Sequence, residues 1–226
     1  MGDDFFGPPP EPPPEPPRRV EPPWFGPPSG TLPGVVPLEL VLARSAIAAV
    51  CVTRVSAYPT GFEFDVLTVS DPAAEGDLDP YMFGPGRRRM PSGGPDPRLR
   101  LGVQFSDGAK AINVGAGPGF GGHGGEPEGP VLRGHGGGGG GGRWRQSYWV
   151  WPLPPSGPLA FVCEWAAASI AVTRHEIDAQ LLLDAAERAQ QIFEAGPRSE
   201  GGRNWTSFAV GETRASRPNE PKTGER

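Results

Sequence analysis

Alternation of apolar and polar residues is the dominant pattern of the chain between residues 37 and 165. A period of two predicts strands, because successive side chains on a strand point to opposite faces. The pattern recurs in seven stretches, near residues 38–42, 47–55, 62–68, 99–105, 109–114, 144–151 and 159–165. Turns and loops separate them, without intervening helices, which favours antiparallel pairing. The sequence therefore predicts a mainly β protein, an antiparallel β-sandwich of about seven strands.

A helical period follows the last predicted strand. Thr173 and Glu176 have the spacing of a capping box, in which each side chain bonds a free amide of the first turn. Gly196-Pro197 is a stop signal. Between them an apolar stripe recurs every three to four residues, at Ile177, Leu181, Ala185, Ala189 and Ile192. The pattern predicts one C-terminal amphipathic helix that buries this stripe against the sheets.

Glycine (35) and proline (31) make up more than a quarter of the 226 residues and are concentrated in particular segments. Residues 1–36 are proline-rich and predict a disordered tail that samples polyproline II. Residues 37–195 predict the folded domain, with long loops at 70–97 and 115–142, the second of which ends in an unbroken run from Gly136 to Gly142. Residues 196–226 are polar and predict a disordered C-terminal tail.

The charge of the chain limits its partners. The net charge is −5 and the pI is about 5.3, which argues against nucleic acid, because phosphate binding needs a basic surface. No apolar run reaches 18 residues, so no membrane span is predicted. No secretory signal is visible, so we expect a cytoplasmic location. Oligomeric state is left open.

Histidine and cysteine do not predict a metal or catalytic site. His175-Glu176 lacks the second histidine of a helical zinc motif, and His123 and His135 flank the glycine run without a cysteine nearby. Cys51 and Cys163 lie in apolar strands and are predicted to be reduced, buried thiols. We therefore assign no catalytic residue, no metal ligand and no cofactor.

Three strand carboxylates, Glu63, Asp65 and Glu164, are the remaining candidates. Glu63 and Asp65 alternate with Phe62 and Phe64, which is typical of a solvated outer face opposite a buried one. A carboxylate pair in a cleft can also hydrolyse a glycoside. The alternation favours the solvated interpretation.

The segment RWRQSYWVW, residues 143–151, is rich in aromatic residues on both faces of one predicted strand. Trp149 and Trp151 share one face, and Trp144 and Tyr148 share the other. Either the C-terminal helix covers the second face, or part of that face is exposed and stacks against a sugar, a base or a peptide. Trp144 and Tyr148 are the candidate contacts.

The proline-rich tail carries an aromatic pair followed by Gly-Pro-Pro twice, as Phe5-Phe6 and as Trp24-Phe25. A polyproline II segment is already extended, so binding it loses little entropy, and aromatic residues supply buried area. One hypothesis is that both pairs are anchors for a partner, with avidity from two copies. The alternative is that Trp24-Phe25 docks on the protein's own domain.

The segment SYWVWPLPPSGPLAFVCEW, followed by TRHEIDAQLLLDAA, resembles a group of uncharacterised proteins from high-GC Gram-positive bacteria, over about residues 37–195. The resemblance implies no activity, cofactor or site residue. The sequence is therefore interpreted as a non-enzymatic protein-interaction module that uses Phe5, Phe6, Trp24 and Phe25. The alternatives are a ligand- or carbohydrate-binding sandwich that uses the aromatics near 144–151, and, more remotely, a hydrolase.

Overall fold

The computed structural model describes residues 22–71, 73, 97–114 and 127–194. Antiparallel strands dominate, and one helix, α1, spans Gln180–Glu187. This confirms the predicted mainly β class with a single helix, and each of the seven predicted strands is present. The strands are β1 Thr31–Leu32, β2 Gly34–Val36, β3 Leu40–Arg44, β4 Ala48–Tyr58, β5 Gly61–Ser70, β6 Arg100–Gln104, β7 Lys110–Ile112, β8 Val131–Gly140, β9 Arg143–Trp151, β10 Pro158–Trp165, β11 Ile170–Asp178 and β12 Gln190–Gln191.

The strands form two sheets and a short ribbon. The larger sheet has the order β2-β4-β5-β9-β8, with β3 also paired to β4, and the smaller sheet has the order β11-β10-β6-β7. β1 and β12 pair with each other, which joins the start of the described chain to the segment after the helix. Every pairing is antiparallel.

The core lies between the two sheets. Phe62, Phe64 and Val66 on β5 are fully buried, as their alternation predicts. Phe64 meets Phe161 of β10 edge to face, with 5.1 Å between the ring centroids, so the two sheets share one apolar core. The face of the larger sheet that points away from this contact is called the outer face below.

The predicted start of the helix is wrong. Residues from Ile170 to Asp178 form β11, which pairs with β10 from Pro158 to Trp165. The Thr173–Glu176 spacing is a local signal, and the ladder to β10 overrides it. The helix begins at Gln180, whose amide donates to Oδ1 of Asp178 at 2.9 Å. It packs mainly against β4 and β2.

The predicted loop at 115–142 is also wrong over its second half. Residues 131–140, which include most of the glycine run, form the edge strand β8 on β9. Main-chain groups alone make a ladder, so the absence of side chains does not prevent pairing. Gly141 and Gly142 connect the strands with φ of 60° and 78°, as a two-residue hairpin turn requires. Of the predicted loop at 70–97, residues 70, 71, 73 and 97 are described, residue 70 as the last residue of β5.

The predicted boundary of the disordered N-terminal tail at residue 36 is wrong as well. Thr31–Leu32 and Gly34–Val36 are strands, and Pro23, Trp24 and Phe25 contact the outer face of the larger sheet. Gly34 lies so close to the helix that a Cβ there would overlap the carbonyl of Ala185. The proposed tail residues 1–21 and 196–226 lie outside the described residues.

Candidate functional site

The outer face of the larger sheet carries two rows of polar and aromatic side chains. The rows run across β4, β5, β9 and β8, because strand register sets these residues side by side. The first row is Arg54, Asp65, Ser147 and His135, and the second is Ser56, Glu63, Trp149 and Arg133.

Arg54 binds both carboxylates of this face. Its Nε and Nη2 donate to the two oxygens of Asp65, each at 2.9 Å, and Nη2 also donates to Glu63. Ser147 Oγ donates to Asp65 at 2.7 Å. Glu63 and Asp65 are 6% and 4% exposed. The prediction of a solvated face is therefore wrong at this pair, and we call Arg54, Glu63 and Asp65 the ion cluster.

The contacts within the ion cluster stabilise the charged forms of its side chains, which does not suit proton transfer. Burial opposes ionisation of Asp65, but hydrogen bonds from Arg54 and Ser147 outweigh it and hold the pKa of Asp65 below its usual value. Hydrogen bonds to Asp65 raise the pKa of Arg54 against the opposing effect of burial. A carboxylate with a lowered pKa is a poor general acid, so the cluster resembles a structural ion network more than a hydrolytic pair.

His135 lies beside the ion cluster on β8. Its Nε2 is 3.9 Å from Oε2 of Glu63, which is too long for a hydrogen bond. Burial lowers the pKa of His135, so the imidazole favours its neutral form. Within the described residues, no group of three or more His, Cys, Asp and Glu side chains is placed to hold a metal ion.

Aromatic side chains extend the same face past Glu63. Trp149 is fully buried and meets Tyr58 edge to face, with 5.6 Å between ring centroids. Arg133 follows Trp149 in its row, and Trp151 is half-buried further along β9. We call Tyr58, Arg133, Trp149 and Trp151 the outer groove.

Pro23, Trp24 and Phe25 contact the outer groove, and we call residues 22–28, which contain them, the docked segment. Trp149 donates its indole N–H to the carbonyl of Pro23 at 3.0 Å. The Trp24 ring meets Trp151 edge to face at 5.6 Å. The guanidinium carbon of Arg133 lies 4.4 Å from the centre of the Phe25 ring, a cation–π contact. The docked segment, rather than the helix, covers these aromatics.

The predicted partner-binding residues are separated by this arrangement. Trp24 and Phe25 lie on the outer face, whereas Tyr148 is 3% exposed in the core, where it stacks on Phe64 at 5.6 Å. The Tyr148 hydroxyl accepts from Nδ2 of Asn113 at 3.3 Å. Trp144 is half-buried and packs against the same core. Tyr148 therefore offers no surface to a partner. Phe5 and Phe6 lie outside the described residues.

Sequence reasoning missed the groove residues Tyr58, Arg133, Trp149 and Trp151 as a binding surface. The alternation of β9 did place Trp149 and Trp151 on one face. The alternation of one strand does not give its register with a neighbouring strand. Arg133 lies in a segment predicted to be a loop, so its position beside Trp149 could not be predicted.

The cysteines and the smaller sheet offer two further candidates. Cys51 and Cys163 are free thiols, and burial raises the pKa of both, so neither is an activated nucleophile. The outer side of the smaller sheet has an open hollow of about 320 Å³ that includes the exposed side chains of Ile112 and Val172. It has no contact with the docked segment among the interactions described above.

Comparison with known protein families, curated proteins and solved structures gives no match. In the part of the chain that the structure describes, no helix has the length and apolarity needed to cross a membrane.

Proposed function

We propose that this protein is a non-enzymatic interaction module whose outer groove binds a proline-flanked aromatic pair of a protein chain. The observation that carries the proposal is the docked segment, in which Trp24 and Phe25 each make a ring contact with the groove. In the described structure the protein thus serves as its own ligand. A partner would present the same chemistry in trans.

The docked segment contacts the outer groove as a turn, in which the Phe25 amide donates to the Pro22 carbonyl at 3.0 Å. The hydrogen bond from Trp149 reaches a main-chain carbonyl, so it fixes the position of the segment without reading its side chain. The two ring contacts then select aromatic residues at successive positions. Pro23 has a fixed φ that favours this turn before binding and so reduces the entropy cost of binding.

The ion cluster stabilises the strands that carry the outer groove. Glu63 pairs with Trp149 across β5 and β9, and its carboxylate is held by Arg54. Asp65 is held by Arg54 and Ser147. These bonds fix the strand faces on which Trp149 and Arg133 lie, so the groove is formed by rigid strands rather than loops.

The expected affinity in trans is low. An aromatic pair adds about 0.5–1.5 kcal/mol, an exposed cation–π contact about 0.5–1 kcal/mol and a neutral hydrogen bond about 1 kcal/mol. With the apolar area buried, we expect a dissociation constant of about 0.1–1 mM. A tethered segment reaches an effective concentration in the millimolar range, so the protein's own segment fills the groove.

The test uses a synthetic peptide of residues 20–30 and the W24A/F25A variant of the full chain, in which the docked segment has lost its anchors. Addition of the peptide to the ¹⁵N-labelled variant should give saturable shifts on β8 and β9 of the larger sheet. Wild-type protein should bind more weakly, because its own segment competes. A peptide with alanine at both aromatic positions is the control. Equal shifts from both peptides, or none from either, would contradict the proposal.

A further inference from the structure

We infer that the first aromatic pair, Phe5-Phe6, is a second ligand for the outer groove and replaces the docked segment of the same chain when that segment is withdrawn. The inference rests on the proposed function and adds a regulatory element to it. Its basis is the match between Phe5-Phe6-Gly7-Pro8-Pro9 and Trp24-Phe25-Gly26-Pro27-Pro28. Both runs share the order of aromatic, Phe, Gly, Pro and Pro.

The first run, residues 5–9, can make each contact that the docked segment makes with the outer groove. Trp149 binds the main-chain oxygen of Pro23, and Asp4, at the equivalent position, has the same carbonyl. Phe6 is equivalent to Phe25 and offers the identical ring to Arg133. Two differences remain: Phe5 stands in place of Trp24, and Asp3-Asp4 stand in place of Pro22-Pro23, which begin the turn closed by the hydrogen bond from the Phe25 amide to the Pro22 carbonyl.

Both differences make the first run the weaker ligand, because a phenyl ring is smaller than an indole and because Asp4 lacks the fixed φ with which Pro23 favours the turn. Neither difference removes a ring contact or the main-chain hydrogen bond. Trp24 meets Trp151 edge to face, and a phenyl ring can adopt the same geometry with a smaller area. The Arg133 contact and the main-chain hydrogen bond do not depend on this position. We therefore expect both runs to bind, with the docked segment preferred.

The lengths of chain that join the two runs to the folded domain also favour binding of the docked segment over the first run. Pro28 lies three residues before β1, which holds the docked segment close to the groove. The first run is joined through residues 10–21, which are proline-rich and span about 3.1 Å per residue when extended. Once the docked segment has left the groove, residues 22–30 lengthen this tether, and a longer tether gives a lower effective concentration. The first run should thus fill the groove only when Trp24 and Phe25 are out of it, and it then competes with a partner for the groove.

A pair of full-length variants tests this exchange. The groove is probed with the same peptide of residues 20–30, added to W24A/F25A and to the variant that also carries F5A/F6A. If the first run competes, removing Phe5 and Phe6 should tighten peptide binding by about threefold or more. F5A/F6A alone should leave the wild-type spectrum of β8 and β9 unchanged. R18A/R19A in the W24A/F25A background is the matched control and should not alter peptide affinity.

The outcomes separate the inference from the proposed function. Equal peptide affinity in the two variants would overturn the inference and leave the proposed function standing. No peptide binding to either variant, with both folded, would overturn both. Tighter binding only when Phe5 and Phe6 are absent supports both.

Discussion

Trp149 donates its indole N–H to the main-chain carbonyl of Pro23, 126 residues earlier in the chain, at 3.0 Å. The bond joins a fully buried side chain on an inner strand to a proline-rich segment that local pattern predicts to be disordered. It also fixes where the neighbouring rings of Trp24 and Phe25 meet the sheet. The outer groove and its ligand are therefore one packed unit in this protein.

Replacing Trp149 with Phe should destabilise the protein through this bond. The lost hydrogen bond to Pro23, together with the lost indole volume, should cost about 2–3 kcal/mol in the free energy of unfolding measured with urea. Trp165→Phe is the matched control, because the buried Trp165 indole N–H has no hydrogen-bond partner among the described residues. Its cost should be lower by about 1 kcal/mol. Equal costs would show that the Pro23 bond contributes nothing.

Replacing Arg54 with Ala should leave two buried carboxylates without a counter-charge. We expect a loss of about 2–3 kcal/mol in unfolding free energy, below the loss for a fully buried pair because the Arg54 side chain is 47% exposed. Arg100→Ala is the control, since Arg100 and Glu164 form a more exposed pair on the smaller sheet. It should cost less than about 1 kcal/mol. A similar loss in both variants would contradict a structural role for the ion cluster.

The protein should lose stability as the pH falls below about 6.5, and His135 should account for part of the loss. Burial lowers the pKa of folded His135 from its usual 6.5, while Glu63 and Asp65 oppose this shift and Arg54 and Arg133 favour it. The unfolded chain then binds the proton more readily, so unfolding is favoured from about pH 6.5 down to the lowered folded pKa.

The His135→Gln variant isolates this effect. Urea unfolding at pH 8.0, 6.5 and 5.0 should show a smaller loss for the variant than for wild type across that interval. Below the usual Asp65 pKa of 3.8 a second loss should appear in both proteins, because the folded pKa of Asp65 is lowered and protonation then breaks its bonds to Arg54. Identical curves between pH 8.0 and 5.0 would rule out the His135 contribution.

Alanine substitutions at two adjacent glycines test whether residues 131–140 form β8. A Cβ at Gly139 would overlap the carbonyl oxygen of Arg143, whereas a Cβ at Gly138 meets no atom within 4 Å. Gly139→Ala should therefore destabilise by about 1–3 kcal/mol. Gly138→Ala should be neutral or stabilise by up to about 1 kcal/mol through the unfolded chain. If the two alanines have the same effect on the melting temperature, residues 131–140 do not form this strand.

Part of this structure follows from the sequence, and the physical reason for each miss is specific. Period two is a property of single strands, so the buried stripe of Phe62, Phe64 and Val66 could be predicted. The Thr173–Glu176 cap was misleading because local spacing carries no information about the β10 ladder that holds those residues extended.

The candidate site was less predictable than the fold. Burial of Glu63 and Asp65 depends on Arg54, which another strand supplies, and on side chains that cover them. The glycine run has no side chains from which a pattern could be drawn, although its backbone forms β8. The docked segment was identified as an aromatic motif, but its location required a contact with a residue far along the chain.

The most direct measurement of the central claim is an isotope-filtered NOE experiment between the peptide of residues 20–30 and the labelled W24A/F25A variant. The account predicts NOEs from the peptide's phenylalanine ring to the Arg133 side chain and from its tryptophan ring to Trp151. NOEs that instead reach Ile112 and Val172 on the smaller sheet, or a saturated sample with no contact to Arg133 and Trp151, would contradict it.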